Sequence, residues 1–238
     1  MKSKKALILY SGGKDSHLAL LYSVKKGYQP IIFNICGGKK HHIFFSQYED
    51  LNIIKTHEKL MNLKINYFKI REFKPIDIFK EIVKKFTELS GEAEDKAYFS
   101  SNDHQEFKKD KKINMEFKKI CQKYDIKFVS FFDIIKKDDF YSPIKESLKN
   151  KINSVIIGLE RNFEKEMLLK KIDNVFISFV NKKIREGEKI DSNSYQSLVL
   201  DSPLFKKGKI KIIKYDYFYD PKDIRYFAKI KDFKIIKK

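Results

Sequence analysis

Short unbroken apolar runs alternate with amphipathic stretches along most of this chain. The runs at 6–10 (Ala-Leu-Ile-Leu-Tyr), 30–36 (Pro-Ile-Ile-Phe-Asn-Ile-Cys) and 154–158 (Ser-Val-Ile-Ile-Gly) show little polar alternation. That pattern suits strands covered on both faces of a parallel sheet. Residues 65–70 and 127–132 also read as strands, and 96–99 as a short one. Between them the apolar spacing turns helical. The spacing predicts a helix over 17–26 stopped by Gly27, another over 48–61 with Leu51, Ile54, Leu60 and Met61 on one face, and a third over 75–89. In that third helix Ile76, Phe79, Ile82, Val83 and Phe86 form the buried stripe, and Pro75 suits its first turn. Helices follow at 113–124 and 143–150. Residues 164–186 are mostly helical, with a break near Asp173-Asn174.

Strand and helix thus alternate through residue 158, the pattern of right-handed βαβ units. The texture then changes. A polar stretch at 192–197 runs into Leu198-Val199-Leu200, and strands at 209–215 and 226–236 flank an Asp220-Pro221-Lys222-Asp223 turn. We read 1–160 as an α/β domain and 161–238 as a small C-terminal α+β lobe.

Composition narrows the classes. With 238 residues, 42% of them hydrophobic and 14% aromatic, the chain can bury a full core. No apolar run approaches a membrane span, and the basic N-terminus leads straight into a strand, so neither a membrane segment nor a signal peptide is expected. Cys36 and Cys121 are the only cysteines, far apart and unpatterned. They fit a reducing cytoplasm rather than a disulfide framework or a zinc site. The net charge is +19 and rests almost wholly on lysine, with arginine only at positions 71, 161, 185 and 225. Together with the many Ile, Asn, Phe and Tyr residues, that is the composition an AT-rich genome would produce. The charge still favours polyanionic partners through screened attraction.

The candidate chemistry sits behind the first strand. Ser11-Gly12-Gly13-Lys14-Asp15-Ser16 joins it to the first helix. Paired glycines let the backbone turn sharply and approach phosphate oxygens, and the helix start presents N–H groups and a positive dipole end. Ser11 and Ser16 add hydroxyls, Lys14 a charge, and Asp15 a carboxylate for Mg²⁺. The spacing is neither Walker A nor G-x-G-x-x-G. Further on, Gly37-Gly38 reads as a strand-end turn and Lys39-Lys40-His41-His42 as a solvated loop near the ligand. Ser100, Ser101 and Asn102 open a polar cluster at the carboxyl end of a short strand, where open parallel sheets bind ligands.

The hexapeptide in this context resembles the PP-loop of the ATP pyrophosphatases. Several blocks are similar to one branch, the diphthine–ammonia ligase family. They are Leu9-Tyr10-Ser11-Gly12-Gly13-Lys14-Asp15-Ser16 with Leu18-Ala19-Leu20, then Ile120-Cys121 before Ile126-Lys127, then Ser154 to Gly158, and Ser197-Leu198-Val199-Leu200-Asp201-Ser202-Pro203-Leu204-Phe205. The resemblance implies a HUP-like parallel sheet with helices on both faces and a C-terminal lobe on the substrate side. It implies a cytoplasmic ligase that uses ATP, Mg²⁺ and ammonia to amidate a carboxylate on translation elongation factor two, releasing AMP and pyrophosphate. Lys14 and Asp15 would be catalytic, 11–16 would bind ATP, Asp15 would hold Mg²⁺, and residues 35–37 would flank the adenosine. Ser100, Ser101, Asn102 and Ser197 would lie on the acceptor side. Where the family carries a Glu-Gly-Gly-Glu-Phe-Glu-Thr-like run, this chain has Asp191-Ser192-Asn193-Ser194-Tyr195-Gln196-Ser197. That change keeps two alternatives open: a PP-loop enzyme that thiolates tRNA or makes a lysidine-type modification, and a nucleotide-binding protein without acceptor chemistry.

Overall fold

Leu7 alternates with Ala6 and Ile8 along the first strand, and all three are fully buried, so both faces of that strand are covered. In the computed structural model, which describes residues 3–36, 51–72, 74–101, 108–135, 139–161, 163–191, 194–221 and 224–238, this is why the run is apolar without a break. The strand, β1 (Lys4–Leu9), is central in a five-stranded parallel sheet. Its companions are β2 (Gln29–Cys36), β3 (Ile65–Lys69), β4 (Asp95–Ser100) and β5 (Lys127–Ser130), in the order β3-β2-β1-β4-β5. Ile8 registers with Ile32 on one side and with Phe99 on the other.

Helix α1 (Lys14–Lys25) crosses from β1 to β2 and ends before Gly27, whose φ of +80° suits a glycine. Helices α3 (Pro75–Ser90) and α4 (Lys108–Lys123) cover one face, packing Phe79, Ile82, Phe86, Phe117 and Cys121 onto Leu7, Phe33, Ile35 and Tyr98. The Phe79 and Phe117 rings stack at 3.9 Å between centroids. Burial of each such side chain contributes about 1.5–3 kcal/mol. The other face carries Ala6, Ile8, Ile32 and Ala97, equally buried. The α/β class with a parallel sheet, expected from the sequence, is the architecture found. Residues 131 and 132, expected to extend β5, instead begin a short helix, α5 (Phe131–Ile135).

The chain divides into two compact units, and the division is not sequential. Among the described residues, 3–11, 15–36 and 64–135 form the first. Gly12–Lys14, 51–63 and the residues from 139 onward form the second. The second unit contains α2 (Leu51–Met61), α6 (Ser142–Lys149), β6 (Asn153–Glu160), a 3₁₀ turn (Lys165–Met167), α7 (Asn174–Arg185), β7 (Tyr195–Asp201), β8 (Lys209–Asp220) and β9 (Arg225–Ile236). Its strands form an antiparallel sheet in the order β7-β6-β9-β8.

One expectation is corrected here. The run at 154–158 does not continue the parallel sheet; it is the inner strand β6, antiparallel to both β7 and β9. A strand buried on both faces reads as unbroken apolar sequence whatever the direction of its neighbours, so the run alone cannot reveal its sheet. The expected break near Asp173 is real. The Asp173 carboxylate accepts from the N–H groups of Val175 (2.9 Å) and Phe176 (3.2 Å), capping a new helix rather than continuing an old one. Ile144, Ile156, Leu159, Phe176, Val180 and Tyr195 form this unit's core. No described helix is long and apolar enough to cross a membrane.

Candidate nucleotide site

The order β3-β2-β1-β4-β5 places a topological switch point between β1 and β4. The chain leaves β1 toward β2 and β3, then returns to β4 on the opposite side. Open α/β sheets bind ligands at the carboxyl ends of strands at such a point. In the first unit these ends carry hydroxyls. Ser100 closes β4 one residue beyond the Ile8–Phe99 register, which sets it beside the end of β1, and it pairs in register with Ser130 of β5. Ser100 is 1% exposed, and its hydroxyl makes no hydrogen bond to a described residue. Leaving such a group unmet costs about 1–3 kcal/mol. Ser101 is buried next to it, while Asn102 lies outside the described residues. Gly37-Gly38 and His41-His42 also lie outside them.

The start of the loop is tied locally. The Tyr10 N–H donates to the Phe33 carbonyl at 2.8 Å, and Asn34 Nδ2 donates to the Tyr10 carbonyl at 2.8 Å. Tyr10 Oη lies 3.0 Å from His17 Nδ1, which joins the strand end to the first turn of α1. The Ser11 N–H donates to Ser16 Oγ at 3.2 Å, and the two serine hydroxyls are 3.1 Å apart. Ser11 and Ser16 are therefore one pair of hydroxyls at the mouth of α1. Asp15, half-buried, occupies the first turn of the helix.

The middle of the loop belongs to the second unit. Gly12 has φ +86°, and a Cβ there would stand 2.6 Å from Ile54 Cδ1. Its conformation favours glycine, and a side chain there would crowd Ile54. The Gly12 carbonyl accepts from the Val199 N–H at 3.0 Å, and the Lys14 N–H donates to Ser197 Oγ at 3.0 Å. Lys14 is 3% exposed, with Nζ 4.8 Å from the Tyr195 ring centroid. Desolvated cation–π contacts contribute on the order of 2 kcal/mol. Ser197, expected on the acceptor side, thus holds a loop amide.

Two residues that sequence reasoning passed over complete the backing. His57 lies one turn beyond Ile54 on α2, fully buried, with its ring 4.9 Å from that of Phe205. Burial lowers its pKa to about 4, opposed in part by a hydrogen bond to the Val199 backbone, so it is neutral at pH 7. Tyr195 is the other, the seat of the Lys14 ammonium. A helical spacing from Ile54 was the only sequence signal for His57, and for Tyr195 it was its place in the 191–197 run.

The cysteines are poor nucleophiles. Burial raises the Cys36 thiol pKa, with Lys69 opposing, and pushes Cys121 up to about 12. Among the described residues no three His, Cys, Asp or Glu side chains gather as a metal cage. Mg²⁺ does not need one, since it keeps waters and takes substrate phosphates with one or two carboxylates. The lone Asp15 carboxylate fits that mode.

No protein-family model matches the chain, and no curated protein does. Among solved structures, it is similar to that of a predicted subunit of tRNA methyltransferase from Methanocaldococcus jannaschii. The match has 13% sequence identity and a TM-score of 0.39, and covers 85% of this chain and 98% of that one. A likeness at this level carries nothing about ligand or reaction.

Proposed function

We propose that this chain binds ATP at 11–16 and activates a carboxylate by adenylation. The observation that carries the reading is the position of the loop. A Ser-Gly-Gly-Lys-Asp-Ser turn follows the central strand at the switch point of a parallel sheet and opens a twelve-residue helix. Helix N–H groups there attract phosphate. Ser11, Ser16 and Lys14 hold the β- and γ-phosphates, and Lys14 exchanges the Tyr195 ring for a phosphate oxygen. Asp15 would hold Mg²⁺, which would supply charge neutralisation to the phosphates. An acceptor carboxylate oxygen attacks the α-phosphorus, the bond to the bridging oxygen breaks, and pyrophosphate leaves. Ammonia then adds to the acyl carbon, loses a proton, and displaces AMP. Carboxylate oxygen is a poor leaving group and AMP a good one, so the protein's task is positioning and charge neutralisation. Ser100 and Ser101 stand at the carboxyl end of β4, on the acceptor side. The substrate we propose, from the resemblance, is diphthine on translation elongation factor two.

The test is AMP formation with and without that factor and ammonium. We expect sustained AMP formation only when both are present, no more than one pyrophosphate per protein from the factor alone, and neither product from Asp15→Ala. Turnover unchanged in Asp15→Ala would reject the assignment.

One observation favours a second reading. The stretch 194–197, where the family carries Glu-Phe-Glu-Thr, has Ser194 and Gln196 in place of both acids, while its aromatic ring seats Lys14 and its hydroxyl holds the Lys14 amide. A nucleotide-binding protein without acceptor chemistry would use it that way. Tight ATP binding with no AMP from any acceptor would select this reading.

A further inference from the structure

The basic charge is not spread evenly. Residues 206–238, about a seventh of the chain, hold eleven lysines and one arginine against four aspartates, a net +8 of the chain's +19. This segment is the antiparallel ribbon of β8 and β9, joined in register from Lys209–Ile236 to Asp220–Arg225. Strand β8 is the outer strand of its sheet, and β9 pairs with β6 only at residues 225–227.

Three tyrosines at alternate positions, Tyr215, Tyr217 and Tyr219, share one side of β8. They are 44%, 58% and 42% exposed. Lys165 Nζ lies 5.2 Å from the Tyr217 ring centroid. Lower on the ribbon, Lys211 and Lys234 stand directly opposite each other. Like charges opposed across strands destabilise a hairpin. Asp216, ion-paired to Lys231 at 3.0 Å, lies on the opposite side of the strand from the tyrosines and keeps more than half of its side chain in solvent.

We propose that this ribbon binds a single-stranded nucleic acid. Lysines at its lower half contact phosphates, and the tyrosines stack unpaired bases. Aromatic stacking of bases beside a basic track is how proteins hold single strands. The opposed lysines are relieved when a phosphate lies between them. A second copy is the rival occupant of an open edge. It is disfavoured by Lys209, Lys211 and Lys214 along that edge and by mutual repulsion of two ribbons each at +8.

The test uses the full chain without ATP, so its outcome is independent of the nucleotide reading. A fluorescein-labelled single-stranded RNA of mixed sequence is titrated by anisotropy across a salt series, beside the same sequence as DNA and as an RNA duplex. We expect both single strands to bind more tightly than the duplex, with affinity falling as salt rises. Tyr217→Ala should weaken it about tenfold, within the range for one stacked base. Lys211→Glu should weaken it and lower the salt slope by about 0.7, the share of one phosphate that the lysine neutralises. That variant replaces a like-charged cross-strand pair with an opposite one, so its thermal midpoint should hold or rise while binding falls. Affinity unchanged in both variants, or preference for the duplex, would overturn the proposal. So would a free protein that sediments as a dimer and binds RNA no differently after Tyr217→Ala.

Discussion

Replacing Gly12 by alanine separates two costs that the loop geometry imposes together. The first is conformational. At φ +86° an alanine carries a penalty of about 1–2 kcal/mol from its Cβ. The second is steric. The new Cβ would stand 2.6 Å from Ile54 Cδ1, the end of a side chain with no solvent exposure. Overpacking of this kind costs about 1–3 kcal/mol. Gly12→Ala should therefore destabilise by about 2–5 kcal/mol. Ile54→Val removes the Cδ1 methyl, at a cost of about 0.5–1.5 kcal/mol as a single change. In the double variant the steric cost should largely vanish and the conformational cost remain. Urea midpoints of the four proteins should give a favourable coupling of about 1–2 kcal/mol, well outside the additivity expected of independent sites. An additive cycle would refute the packing argument. A Gly12→Ala variant as stable as the parent would refute the left-handed loop itself.

Other perturbations address separate links. Ser100→Ala removes a buried hydroxyl with no described partner, so it should leave stability unchanged or raise it by about 1 kcal/mol. If the hydroxyl meets a ligand, the same variant should bind ATP or acceptor more weakly; calorimetric titration and urea unfolding on one sample read both effects. His57 gives a pH signature. Its folded pKa of about 4 lies below the unfolded value of 6.5, so the unfolded chain takes up the proton first. Its contribution is fully present above pH 6.5 and is lost as pH falls toward 4, by on the order of 3 kcal/mol. His57→Gln, which keeps a donor for Val199, should flatten the thermal midpoint between pH 7 and pH 4.5; a slope identical to the parent's would contradict the buried neutral imidazole.

The sequence carried the parallel sheet because its strands are buried on both faces and its helices repeat at regular spacing. Ile76 to Phe86 on α3 and the Pro75 start are legible for local reasons. The sheet membership of β6 was not, since burial conceals direction. Strand β8 was foreseen only to Tyr215, because Asp216 and Asp220 are residues that strands disfavour. Lys231 on the neighbouring strand pairs with Asp216 at 3.0 Å, and Arg225 stands opposite Asp220, an arrangement visible only in register. Polar Gln196 and Ser197 concealed the start of β7 for a related reason, since Ser197 is turned to the Lys14 amide. The loop was legible as a hexapeptide, but its support from Ile54, His57, Tyr195 and Val199 arises from packing between residues more than forty positions apart, which no local pattern encodes.

The central claim is that residues 11–16 part ATP between its α and β phosphorus atoms. The most direct measurement is the phosphorus NMR spectrum of the full chain with Mg²⁺-ATP, ammonium and elongation factor two carrying diphthine. We predict that AMP and pyrophosphate resonances grow together at equal rates; ADP with orthophosphate, or an ATP spectrum that never changes, would contradict it.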